Sequence, residues 1–483
     1  MLTQASPQSW TLSHAAHLLS RAAFGGTPTE IEALHALGRQ AAIEQLLGDA
    51  AAPPPTIKVP KFENSDALVL AKLNIRKQKD DLTPDQRREK IREIQQQQVA
   101  ILRDMRTWWI QRMANPTFAP VEKATLFWHG HFATSVRKVR DPSLMWRQNG
   151  TLRIHALGNF GSLVKAMSRD PAMMIWLDLQ NSRKGAPNEN WARELMELFT
   201  LGIGHYTEAD IKNCAQAFTG YRFNRQTATF RFVPSQHDDM EKTFIGRKGR
   251  FAGDHIIDII LAQPACAEFI AEKLWMFYAY ENPEPGIVKA LAQILRENKY
   301  ELRPAFEAMF RSEQFYGDKA IRSQIKSPTQ LIVSTCHSVE CKPPHGFILH
   351  HVMTGLGQVL FAPPNVKGWD GNRAWINTAT IALRNRLTDA LLLDNRNPDV
   401  AGKLASKGAA SRVNIDSIIP KRIQTDPKLL VDALTFRIFQ IKLPPEARNE
   451  FLDYWNTPRP DGKERTIRDL IAHMMRTPLF QLC

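Results

Sequence analysis

The sequence predicts a mainly α-helical fold, one large multi-helical domain with a small β-hairpin excursion. Three observations predict it. Apolar residues recur with a 3.6-residue period in almost every patterned segment. Strand-like alternation is confined to residues 222–246. No apolar run approaches the roughly 18 residues of a membrane span. With 483 residues, 43% hydrophobic and 23% charged, the chain has the length and composition to bury a sizeable core.

Residues 11–49 read as two helices, the second capped by Thr27 or Thr29 and carrying Ile31, Leu34, Leu37, Ile43 and Leu46 at helical spacing. The Pro-rich stretch from Ala52 to Phe62 reads as an extended connector closing an N-terminal unit, 1–62. An arm over 63–114 follows. Its residues 66–114 predict a helical hairpin turning at Thr83, Pro84 and Asp85, its second helix becoming apolar towards Trp108 and Trp109. After the punctuation from Pro116 to Pro120, a core body over 115–395 begins with the helix carrying Phe127, Trp128 and His129. Further helices are expected at 150–168, 189–200, 208–218, 254–279, 286–297, 302–311 and 326–340. Residues 396–425, rich in Asn, Lys, Gly and Ser, predict an exposed loop. The last unit, 426–483, holds two helices near 427–440 and 466–476. No repeat is visible.

The net charge of +14 and pI near 9.6 favour anionic partners. The positive residues are spread out, however, without a helix-turn-helix signature, zinc finger or aromatic-basic sheet motif, which argues against nucleic acid. The densest basic run is Arg137, Lys138, Arg140, Arg147 and Arg153, against only Asp141. It reads either as a solvated face or as a positive rim admitting an anionic substrate. Cys214, Cys266, Cys336, Cys341 and Cys483 are scattered and odd in number, which fits reduced thiols. The first residues lack a cationic start and a continuous apolar core, so a cytoplasmic location is expected over export.

Three polar clusters carry the candidate chemistry. In the first, Asn188 caps a helix starting at Glu189, and Trp191, Leu195, Leu198 and Phe199 form its buried stripe. Asn190, Arg193, Glu194 and Glu197 form a polar stripe, with Arg193 and Glu197 spaced for an ion pair. Gly202 and Gly204 end that helix, Tyr206 follows, and Thr207 to Asp210 reads as a capping box. In the second cluster, His129 and His131 would point about 200° apart on a continuous helix. A break at Gly130 would let them converge as general acid/base groups or metal ligands, while core packing is the alternative for each. His237, Asp238, Asp239 and Lys242 form a further polar knot, without any H-E-x-x-H spacing. In the third cluster, Trp369 and Trp375 beside Asn365, Asn372, Asn377 and Arg373 suit a stacking platform fringed with amides, as sugar rings require. A loop sealing the core is the alternative there.

HLLSRAAFGGTPTEI, FWHGHFATS, NENWARELMELFTLGIGHYTEADI, AFTGY and PPNVKGWDGNRAWIN, in this order over nearly the whole chain, resemble the domain of unknown function 1800 family. The resemblance implies a widespread bacterial protein without a settled activity. It also implies frequent export signals among members, and gene neighbours similar to sulfatases and alkaline phosphatases, hence a possible sulfatase-like partner protein. It carries no catalytic residue over.

The expected function is an enzyme of hydrolase or lyase type acting on a polar polysaccharide, either neutral or anionic. His129, His131, Arg193, Glu194 and Tyr206 would act as catalytic groups; Asn188, Asn190, Trp369, Trp375, Asn377 and Arg137 would bind substrate. No metal ligand set is assigned and the cofactor is left open. A non-catalytic binding or assembly protein and a His/carboxylate metalloenzyme are the alternatives. Convergence of the three clusters in one cleft separates the first reading from the second.

Overall fold

Proline and short polar caps set where most helices begin. Thr27, Thr83, Thr207 and Thr466 each close a capping box, and Pro28, Pro84, Pro142, Pro171, Pro264, Pro285, Pro328, Pro427 and Pro445 occupy first-turn positions where no backbone N–H is needed. The computed structural model describes residues 2–48, 82–225, 227–392, 413–458 and 466–483. The Ala52–Phe62 connector, the first arm of the predicted hairpin up to residue 81, and residues 396–412 of the predicted loop lie outside the described residues. The fold is mainly α-helical, with two small antiparallel hairpins. No described helix is long and apolar enough to cross a membrane.

Several predicted helices are subdivided. The region 11–49 holds three helices, Leu12–Ala22, Pro28–Ala36 and Arg39–Leu47, because Gly38 takes φ 78° between the last two. Residues 254–279 divide into Gly253–Leu261 and Pro264–Tyr278, since Pro264 lacks the N–H a continuous helix needs there. The β excursion is two hairpins: Tyr221–Asn224 with Thr229–Phe232, and Lys242–Phe244 with Arg247–Gly249. Helices Gly346–Leu356, Thr378–Leu392 and Pro445–Asn456 add to those expected.

Two large hydrophobic clusters form the interior. One is built from the N-terminal helices and residues up to Ala320; the other from the long helix Pro84–Met113 and the segments after Leu331. The Ala119–His131 helix belongs to both, giving Ala124, Phe127 and Trp128 to the first and Ala119 and Leu126 to the second. Its Glu122, fully buried, ties the seam together. The carboxylate accepts from Trp109 Nε1 at 2.7 Å, from Arg153 Nε at 2.7 Å and Nη2 at 2.8 Å, and from Arg112 Nε. Arg153 is therefore a buried partner of Glu122, and is no part of a solvated face or positive rim.

Candidate functional site

The Ala119–His131 helix runs unbroken through Gly130, so His129 and His131 face different ways. Lys123, Phe127 and His131, at i, i+4 and i+8, share one face and line a cavity of ≈ 260 Å³. Glu122 and His129, at i and i+7, share another face, turned to the long helix. There the Trp109 ring bonds to Glu122 and lies edge-on to His129 at 5.1 Å between centroids.

The two histidines have different states. The Phe361 backbone N–H donates to His129 Nε2 at 3.1 Å, so that lone pair is occupied and the ring proton sits on Nδ1. Burial lowers the His129 pKa to about 3, which keeps the ring neutral. It works as an anchor for the Phe361 loop. His131 Nε2 lies 3.0 Å from the Phe199 carbonyl; a carbonyl only accepts, so Nε2 carries the proton and donates. Among the described residues its buried Nδ1 has no partner, and it keeps a lone pair. Burial, then the positive charge of Lys273, holds this imidazole well below its usual pKa, so His131 is neutral at neutral pH, with its one ring proton on Nε2.

The third cluster meets this helix through a close backbone approach. Gly368, at φ 89°, lies so near the helix that an added Cβ would sit 2.4 Å from the Gly130 carbonyl oxygen. Only glycine fits there. The contact places the Trp369 ring 5.7 Å from that of His129 and brings Trp369, Asn372 and Trp375 to the cavity. Asn372 Oδ1 accepts from the Ile325 N–H at 3.0 Å, fixing the loop to the next segment. Asn377, exposed, accepts from the Thr380 N–H at 2.9 Å and starts the Thr378–Leu392 helix without lining the cavity.

Three lysines share the cavity wall: Lys123, Lys273 and Lys367, with Glu281 and Asp370 also lining it. Lys123 Nζ donates to Gln330 Oε1 at 2.5 Å and lies 4.9 Å from the Phe24 ring and 5.5 Å from that of Phe277. Burial lowers its pKa to about 7, with Cys483 opposing the shift and Arg21 adding to it. Sequence reasoning missed Lys123, Lys273 and Gln330. The signal for Lys123 was its i, i+4, i+8 register with Phe127 and His131.

Lys326 is likewise lowered to about 7, chiefly by burial, but lines a separate cavity of ≈ 40 Å³. A depressed folded-state pKa means that the unfolded chain binds more protons between about 7 and the ordinary lysine value near 10.4, so stability rises with pH there and is lost as pH falls through about 7. The useful window ends near pH 8.5. Above it the unfolded thiols ionise, and burial raises the native pKa values of Cys214 and Cys266, opposing the trend. Urea unfolding should give greater stability at pH 8.3 than at pH 7.2, by on the order of 1 kcal/mol per lysine, with a smaller slope in Lys123→Met. A flat or falling profile in the wild type would refute this assignment of the two amines.

The first cluster stands elsewhere. Arg193 forms a bidentate pair with Glu208, at 2.9 and 3.0 Å, in place of the expected pairing with Glu197. Glu197 instead accepts from Tyr206 Oη at 3.2 Å. Burial and Glu197 push the Tyr206 phenol up to about 12, and burial, then Glu197, raises Glu194. Asn188 caps its helix through the Asn190 N–H at 2.9 Å, and Asn190 is exposed. The segment touches the second cluster only at its far end, through His131 and the Phe199 carbonyl. Among the described residues, no hydrogen bond or ion pair joins Asn190, Arg193 or Glu194 to either histidine. Arg137 and Lys138 face a separate shallow pocket beside Trp176 and Pro364, where Lys138 pairs with Asp178 at 2.7 Å. His237 binds the Thr219 carbonyl at 3.0 Å, and Lys242 Nζ donates to the carbonyls of Asp238 and Met240 at 2.6 and 2.8 Å, so this knot closes a turn. Among the described residues no group of three or more His, Cys, Asp or Glu side chains is arranged to hold a metal ion.

A family model described as Protein of unknown function (DUF1800) matches residues 17–482. No curated protein and no solved structure matches the chain.

Proposed function

The chain belongs to the DUF1800 family, and from that premise, which prescribes no reaction, we propose an enzyme of lyase or hydrolase type that takes one end unit of an anionic polysaccharide into the ≈ 260 Å³ cavity. The observation that carries this reading is the meeting of two of the three clusters, the His131 face and the Trp369–Trp375 loop, around three lysines; the Asn188–Tyr206 cluster does not join them, so Arg193, Glu194 and Tyr206 have no part in it. The volume lies just below the roughly 300–1,000 Å³ of sites for drug-sized ligands, which suits a single sugar unit better than an internal stretch of polymer. Trp369 and Trp375 offer apolar faces to a ring; the Gln330 amide is taken up by Lys123 and the Ser20 carbonyl, which leaves the side-chain NH2 groups of Gln358 and Asn372 as the amide donors for its hydroxyls.

The lining favours elimination over hydrolysis. Elimination next to a uronate requires cations that neutralise the carboxylate and so acidify the adjacent C–H, together with a base that is unprotonated at neutral pH. We assign the first role to Lys273, since Lys367 is paired with Asp370 at 3.3 Å, and the second to His131 Nδ1, which is buried and has to turn into the cavity to reach the C–H. The partly exposed cluster from Asn188 to Tyr206 supports a second reading for that surface alone, a contact patch for assembly, because Arg193 and Glu197 are already held across the turn by Glu208 and Tyr206.

A trimer of galacturonate should bind more tightly than the neutral galactose trimer, and its affinity should fall as salt rises, since partly exposed charges are screened over a Debye length of about 8 Å at physiological ionic strength. Turnover would release an unsaturated, ultraviolet-absorbing uronate. Equal, salt-indifferent affinity for the two trimers in a calorimetric titration would sink the proposal.

A further inference from the structure

Lys123 has a chemistry that charge neutralisation does not use. Its residue is 7% exposed, its side chain forms part of the cavity wall, and its Nζ donates to one neutral acceptor, Gln330 Oε1. Among the described residues no carboxylate lies within ion-pair distance of it. Phe24 and Phe277 flank the amine, so most of its surroundings are apolar. A buried ammonium without a counter-ion is costly, and the cheaper state is the uncharged amine. An uncharged lysine amine facing a cavity is a nucleophile towards carbonyl carbon. Lys273 and Lys367 line the same cavity with Asp370 and Glu281; Lys367 Nζ lies 3.3 Å from Asp370 Oδ1, and among the described residues Lys273 forms no ion pair, so it is the lysine placed to meet an anionic group on a ligand.

We infer that Lys123 forms an imine with a small aldehyde or ketone that carries a carboxylate or phosphate and enters this cavity. The Nζ lone pair attacks the carbonyl carbon, the C=O π pair moves to oxygen, and a proton passes from nitrogen to that oxygen. The nitrogen lone pair then expels the hydroxyl, which takes a proton from solvent and leaves as water. The product is a protonated imine, an electron sink that acidifies the adjacent C–H. Hydrolysis reverses each step, so no oxidant or reductant takes part. The open-chain end of a uronic acid belongs to this carbonyl class. The inference rests on the cavity being the ligand site, and does not require that the ligand be a polysaccharide.

Lys326 is the internal contrast. Its pKa is lowered to the same extent, but its cavity of ≈ 40 Å³ has room for little more than a water molecule. Proximity of an uncharged amine to an adequate cavity, and not amine basicity alone, should therefore decide reactivity.

The test uses the full chain, incubated separately with glyoxylate, glyceraldehyde 3-phosphate and neutral glycolaldehyde, then reduced with sodium borohydride. Hydride converts the imine into a stable secondary amine, which peptide mass spectrometry locates. Labelling at Lys123 should exceed that at Lys326 and at any exposed lysine by about tenfold or more, because ordinary lysines are almost wholly protonated at neutral pH. It should also exceed labelling by glycolaldehyde, and the two anionic arms rank carboxylate against phosphate. Lys123→Met keeps an uncharged side chain of similar length without the amine and should lose the modification. Labelling spread over surface lysines, or absent from Lys123, would overturn the inference; the wild-type peptide map decides this even if the variant fails to fold. Labelling at Lys123 without uronate binding would remove the polysaccharide reading and leave this one standing, and uronate binding without labelling would do the reverse.

Discussion

Glu122→Gln should destabilise the protein by about 3–5 kcal/mol, the range for breaking a buried ion pair by removing one partner. Glu122 has no exposed surface and compensates two guanidiniums at once; the Arg112 and Arg153 side chains are 8% and 3% exposed. Glutamine keeps the shape and removes the charge. Its amide nitrogen would also point a donor at a guanidinium or at Trp109 Nε1, where the carboxylate now accepts. Because Trp109 packs on His129, and His129 holds the Phe361 N–H, the damage should extend to the loop that walls the cavity. Glu194→Gln is the control. That carboxylate is half-buried and has no ion-pair partner among the described residues, so its loss should change stability by less than about 0.5 kcal/mol. Urea unfolding of both variants checks the contrast, and an equal effect in the two would contradict it.

Gly368→Ala should cost about 1–3 kcal/mol from its left-handed backbone alone, and should weaken binding of an anionic ligand at least about tenfold. A methyl group there would meet the Gly130 carbonyl oxygen at 2.4 Å, and neither partner is a flexible side-chain end. The loop has to lift, which moves Trp369 off His129 and opens one wall. Gly246→Ala, in the turn between Lys242–Phe244 and Arg247–Gly249 and no part of the cavity wall, separates strain from collision, since φ is 71° there with nothing within 4 Å of the added Cβ. Gly246→Ala should lose stability and retain binding. Loss of binding in both variants to the same degree would show that the Gly130–Gly368 approach is not what shapes the cavity.

Local chemistry was legible in the sequence, and its long-range pairing was not. The caps at Thr27, Asn188 and Thr207 are contacts spanning two or three residues, so residue types and spacing suffice to find them. The Leu195–Thr200 segment was expected as ordinary α-helix and is π-helical. Its Thr200 hydroxyl donates back to the Leu195 carbonyl at 2.5 Å, and both the Leu201 and Gly202 N–H groups turn to Met196. Arg193 and Glu197 had ideal spacing for a pair, yet each found a partner beyond the Gly202 turn, in Glu208 and Tyr206. The candidate site divides the same way. The histidine and tryptophan clusters stood out by composition, and their meeting depends on two glycines that composition does not connect. Lys123 was hidden because a single lysine in an apolar helix usually extends its amine to water.

The Gly130–Gly368 contact joins points roughly half the chain apart, and the remaining wall comes from residues 273–281 and 324–330. Contacts so distant along the chain form only after the elements carrying them have consolidated, because loop closure must precede any gain from them. The cavity is thus among the last features to assemble. The same topology makes it an early place to open, since lifting one loop breaks the Gly130–Gly368 approach while the two hydrophobic clusters stay joined through the Ala119–His131 helix. A ligand lodged there would bridge both halves and act as a clasp, lengthening the lifetime of the native state by binding to it and not to the opened chain.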